Sequence, residues 1–175
     1  QPPGIWKTPY SGMQWVTSTG DDRYRRGLYT YWRRSNPYPS MLTFDTGQGD
    51  VCTMRRIRTN TPLQALVTMN DPVYIEAAGA LAAGALNVST DGRGRIQWMF
   101  ERATGRRASD ADIQHLKRLL TNALHQYRGA GVEKAKALLG AANANVSKSE
   151  DPGMQAALIV VANAILNLDE VLMRP

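Results

Sequence analysis

The chain has 175 residues, of which 43% are hydrophobic and 21% charged, and its formal net charge is +6 at pH 7. That size and composition suit one globular domain with a real core and exclude a globally disordered chain. A single cysteine, Cys52, excludes an intrachain disulfide, and the longest apolar run, Ala156 to Ala162, is far shorter than a membrane-spanning helix requires.

The opening Gln1-Pro2-Pro3-Gly4 shows no charged-then-apolar leader and reads as a cut from a longer polypeptide. Residues 1–60 hold nine Lys and Arg against four Asp and Glu, and nine of the thirteen aromatic residues. Glycine and proline punctuate this stretch, which argues for loops and short elements. Tyr24, Leu28, Tyr31 and Trp32 fall at i, i+4, i+7 and i+8, the spacing of one short helix with its aromatics inward. Tyr29–Trp32 also has strand propensity. Met41–Asp45 and Val51–Arg56 flank Thr46-Gly47-Gln48-Gly49-Asp50 and read as a small hairpin.

After Asn60 the signals become helical. Thr61 is placed to cap a helix, with Pro62 at its first position, Gln64 as capping-box partner, and Leu63, Leu66 and Val67 as its apolar face. Asp71-Pro72 opens a second helix that carries Val73, Ile75, Ala78, Leu81, Ala82 and Leu86. A third follows Gly92-Arg93-Gly94, with Ile96, Met99, Phe100 and Ala103, and closes at Thr104-Gly105. Ser109 caps a fourth, whose stripe is Ile113, Leu116, Leu120, Leu124 and Tyr127, ending at Gly129. Val132 to Gly140 suggests a short fifth, and residues 141–150 a polar linker. Asp151-Pro152 opens a last helix with Met154, Leu158, Val161, Ile165, Leu168 and Leu172 on one stripe. Ile159, Val160 and Leu166 broaden that stripe, which places the helix at the centre of a bundle. The expected fold is mainly α: a single domain over 1–175, with an irregular aromatic- and Arg-rich wrap (1–60) holding at most a small β-hairpin, and a helical bundle (61–175).

Most catalytic signatures are absent. There is no Cys-x-x-Cys-His for covalent haem, no Gly-x-Ser-x-Gly elbow and no Walker lysine. His115 and His125 share one predicted helix but lie nearly three turns apart, too far to bind one metal together. No metal site is expected, and no cofactor in this chain. Asp45 and Asp50 bracket a glycine turn without calcium-loop spacing. The densest polar cluster is Arg55-Arg56-x-Arg58-Thr59-Asn60-Thr61-Pro62-x-Gln64. Arginines running into a helix N-terminus make a sensible anion site. The alternative is a structural clamp, in which Arg55, Arg56 or Arg58 pairs with Asp45 or Asp71. A second basic and aromatic stretch, Arg23-Tyr24-Arg25-Arg26 to Tyr31-Trp32-Arg33-Arg34, has the composition of a stacking platform. An amphipathic helix with buried aromatics is the favoured reading there.

Three motifs carry a family resemblance: Arg25-Arg26-Gly27-Leu28-Tyr29-Thr30-Tyr31-Trp32-Arg33-Arg34, Pro39-Ser40-Met41-Leu42-Thr43-Phe44-Asp45, and Cys52 to Leu66 with Asn70-Asp71-Pro72. They resemble a domain of unknown function at the C-terminal end of large exported planctomycete proteins that carry a cytochrome c-like domain. Asn167-Leu168-Asp169-Glu170 is similar to that family's ending. The resemblance implies an exported or periplasm-like compartment, haem in a linked domain only, and upstream domains of the same polypeptide as partners. It supplies no catalytic residue. Two functions are expected to compete. One is a binding and assembly module that engages an anionic polysaccharide or its own upstream domains. The other is part of an active site for polysaccharide or redox chemistry, with Asp45, Arg55, Arg56, Arg58, Asn60 and Asp71 lining a shared cleft. The modest charge excess disfavours nucleic acid.

Overall fold

The computed structural model describes residues 16–33, 36–46, 54, 59–144 and 151–173. The chain forms two compact units, residues 1–59 and 60–175. Among the described residues there are eight α-helices and no strand.

Among its described residues the first unit holds two 3₁₀ turns, Gly20–Tyr24 and Gly27–Tyr29, and one short helix, α1 (Pro39–Thr43). The single amphipathic helix expected through Tyr24 and Trp32 is not formed. Arg25 and Arg26 are extended between the turns, and Tyr24, Leu28, Tyr29 and Tyr31 are exposed, not inward. The first arm of the expected hairpin is helical: Pro39 sits at the first helical position, where its fixed φ starts a turn and its missing N–H costs nothing. The second arm lies outside the described residues, apart from Met54.

The second unit is a bundle of α2 (Pro62–Asn70), α3 (Pro72–Val88), α4 (Gly92–Thr104), α5 (Asp110–Tyr127), α6 (Val132–Ala141), α7 (Pro152–Leu166) and α8 (Asp169–Leu172). α7 is its axis and packs against every other helix of the unit. Ala156, Ala157, Leu158, Val161, Ala162 and Ile165 are fully buried on it, because a helix apolar on most sides loses least by giving up all solvent. α5 shows the opposite pattern: a core stripe of Ile113, Leu120 and Ala123 with His115 and His125 exposed on its other sides. Ser109 and Asp112 close a reciprocal capping box at its start. α4 contributes Ile96, Met99 and Phe100 to the core and ends on Gly105 at φ +81°, a conformation that glycine adopts without strain. Gly79 on α3 allows close approach of the α6 end: a Cβ there would stand 2.9 Å from the Ala142 Cβ and carbonyl oxygen.

The last stripe differs from expectation. α7 stops at Leu166, so Leu168 and Leu172 do not continue it, and α8 begins after a two-residue break. The break coincides with side chains that are tied to other elements.

Candidate functional site

α2 is built as its motif predicts at the ends and opposite to it on the sides. The Thr61 N–H donates to Gln64 Oε1 at 2.9 Å and the Gln64 N–H to Thr61 Oγ1 at 3.3 Å, with Pro62 at the first helical position. The helix nevertheless turns its polar side inward. Gln64 is 2% and Thr68 1% exposed, whereas Leu63 and Leu66, expected to face the core, are 58% and 59% exposed, and Met69 is half exposed; Val67, the third residue of the expected face, is half-buried. Gln64 and Thr68 are i, i+4 neighbours on one face; Leu66 points the other way. Val73, at the start of α3, is exposed as well.

From this inward face and its flank a row of hydrogen bonds runs to the α7–α8 junction. The Thr68 hydroxyl lies 2.7 Å from Asn167 Oδ1, with the Ala65 and Gln64 carbonyls at 2.9 and 3.2 Å. Asn163 Nδ2 donates to the Thr68 carbonyl at 3.0 Å, and the Asn60 amide donates to Asp169. Burying a leucine gains about 1.5–3 kcal/mol, and a net hydrogen bond about 0.5–1.5 kcal/mol. The two bonds made at buried Thr68 therefore offset part of what two exposed leucines forgo.

A second cluster ties down the other end of the same junction. Arg106, in the loop after α4, forms a bidentate pair with Glu170, Nε–Oε2 and Nη2–Oε1 both at 2.7 Å. It also donates to Asp112 Oδ2 at 3.1 Å and stacks over Phe100 at 4.6 Å. The hydrogen bonds to Glu170, then to Asp112, hold the guanidinium above its usual range. Asp112 is lowered from the ordinary carboxylate value, first by the backbone N–H of Ser109, then by the Ser109 hydroxyl.

Of the candidates read from sequence, Arg55, Arg56 and Arg58 lie outside the described residues. Asp45, at φ 55°, accepts both the Thr59 N–H (2.8 Å) and the Thr59 hydroxyl (2.6 Å) within the first unit. Asn60 belongs to the second unit and meets Asp169. Asp71 accepts the Val73 N–H at 2.9 Å and caps α3, while its own N–H closes α2 on Val67 at 2.8 Å. Thr68, Asn163, Arg106 and Glu170 were not among the candidates. The signal for the first two was the polar i, i+4 pair on α2 and the amides near the end of an otherwise apolar α7. In the first unit, Arg23 and Arg25 stack over Tyr24 and Tyr29 at 5.8 and 5.9 Å, and Arg25 also pairs with Asp22 at 2.8 Å.

A cleft of about 200 Å³ opens between α3, α6 and α7, beside Gly79, Leu86, Leu139, Gln155 and Ile159. It is smaller than the roughly 300–1,000 Å³ of ordinary ligand pockets. Among the described residues, no group of three His, Cys, Asp or Glu side chains is placed to hold a metal ion, and no helix is long and apolar enough to cross a membrane.

The sequence pattern of the family PSD1, described as "Protein of unknown function (DUF1553)", matches residues 3–120, about two thirds of the chain. It covers α2 and stops within α5, so the α7–α8 junction lies beyond it. No curated protein and no solved structure matches the chain.

Proposed function

The chain belongs to the PSD1 family of unknown function (DUF1553), and from that premise we propose that it is a binding and assembly module that docks a partner domain on α2. The observation that carries this reading is the inverted helix: Leu63, Leu66 and Met69 face solvent while Gln64 and Thr68 are buried. No charged residue interrupts α2, which makes its outer face suited to an apolar protein surface and not to an ionic ligand. Contiguous exposed apolar patches on globular proteins mark interaction sites. The resemblance to the ends of large exported proteins supplies the partner: an upstream domain of the same polypeptide, the cytochrome c-like domain included.

The test is titration of this chain with the upstream part of its polypeptide, followed calorimetrically. Binding is expected, and Leu66→Glu is expected to weaken it by at least about tenfold, a 1.4 kcal/mol change, without lowering the melting temperature. Absence of binding, or equal binding by Leu66→Glu, contradicts the reading.

The arginine excess of the first unit favours one further role, engagement of an anionic glycan. Guanidinium groups stacked on exposed tyrosines, with Arg55, Arg56 and Arg58 nearby in sequence, suit sulfate or carboxylate groups on a sugar. Titration with sulfated and neutral oligosaccharides decides it. Preference for the sulfated ligand, lost at high salt and in Arg→Ala variants that melt normally, supports the role. Equal response to both ligands at low salt removes it.

A further inference from the structure

We infer that Asn60, Thr68, Asn163, Asn167 and Asp169 form a clasp that sets which face α2 presents, and that they are the positioning residues of the docking surface. The inference rests on the docking reading above and names what keeps that surface available. α2 is a helix with two usable faces. Its apolar face, Leu63, Leu66 and Met69, is what hydrophobic burial alone would turn inward; its amide and hydroxyl face is what the structure turns inward. The caps at Thr61 and Asp71 act on helix backbone at the two ends, so they fix where α2 starts and stops, not which side faces the bundle.

Three described bonds run between α2 with its flank and residues 163–169: Thr68 to Asn167, Asn163 to Thr68, and Asn60 to Asp169. They are separated by 95 to 109 residues along the chain, so they form only once the bundle is assembled. They cluster where α7 gives way to α8. Asn167 and Asp169 are held by α2 and its flank, and Glu170 by Arg106. The clasp therefore converts a helix that could have been part of the core into one whose leucines remain available.

Thiol labelling of the whole chain tests the orientation without any partner, so a failed titration and a failed clasp are separate results. Cys52→Ser removes the single native thiol. In that background Leu66→Cys reports the outer face and Gln64→Cys the inner face, each reacted with a maleimide. With the clasp intact, position 66 labels fast and position 64 slowly. With Thr68→Val and Asn167→Leu together, position 66 is expected to slow by at least about tenfold while position 64 accelerates, the mark of a two-state turn in α2. Asn60→Ala leaves the α7 core untouched and is expected to shift both rates the same way by less. Should the double variant lose its cooperative melt, the Asn60→Ala rates decide. Fast labelling at both positions would show that α2 has come away and that the clasp only attaches it. Unchanged rates at both would show that orientation is set elsewhere. Either result overturns the inference.

Discussion

α7 and α2 pack in the same bundle by opposite rules. α7 buries nearly everything it has, including Leu158, Val161 and Ile165, and its place follows from its apolar surface. α2 buries Gln64 and Thr68, leaves Leu63 and Leu66 in solvent, and takes its orientation from hydrogen bonds to Asn163 and Asn167. A core helix can be read from its apolar periodicity. A helix whose apolar face serves another surface gives the same periodicity with the opposite meaning.

The contrast can be broken most severely at α7. Leu158→Ala is expected to cost about 2–5 kcal/mol in denaturant unfolding, because a fully buried leucine leaves a cavity among packed helices. A variant that unfolds at the same denaturant concentration as the unsubstituted chain would show that α7 is peripheral. Thr68→Val comes next. It keeps the shape but leaves Asn167 Oδ1 without its hydroxyl donor, and about 1–3 kcal/mol is expected to be lost. Thr68→Ser keeps the hydroxyl and is expected to retain most of that stability.

Ser109→Ala is expected to cost about 0.5–2 kcal/mol by removing the α5 cap. Its companion effect is pH-dependent and smaller. The carboxyl group of Asp112 is held below its ordinary value by Ser109, so its contribution is fully present above pH 3.8 and is lost as the pH falls through the lowered folded value. Chemical shifts of the Ser109 and Asp112 amides, followed through acid, are expected to report that loss. Asp112→Asn is expected to flatten this component of the pH profile. An unchanged acid response in Asp112→Asn would assign it to other carboxylates.

Much of the second unit was legible from sequence, for local reasons. Thr61-Pro62 with Gln64, Asp71-Pro72 and Ser109 with Asp112 carry their capping chemistry within four residues, and the structure uses each of them. The stripe of α5 and the all-round apolarity of α7 need no distant information either. The orientation of α2 was not legible because its deciding partners lie about a hundred residues away. The first unit resisted for another reason. With Gly20 at positive φ, Gly27 opening the second short turn and Pro39 starting α1, it has little periodicity from which to predict. Asp45 and Asp71 were picked out as pairing partners of the arginines or as cleft residues beside them; among the described bonds Asp45 also holds Thr59 and Asp71 also caps α3. The arginines that made the motif conspicuous fall outside the described residues.

The central claim is that the leucines of α2 form a surface and not core. Comparison of the thermal and denaturant stability of Leu63→Gln with Leu66→Gln against the unsubstituted chain tests it most directly. The account predicts a change within about 0.5 kcal/mol, as for other exposed positions. A loss of about 2–5 kcal/mol, the cost of emptying a buried leucine site, would mean that these side chains pack inside the protein and would contradict it.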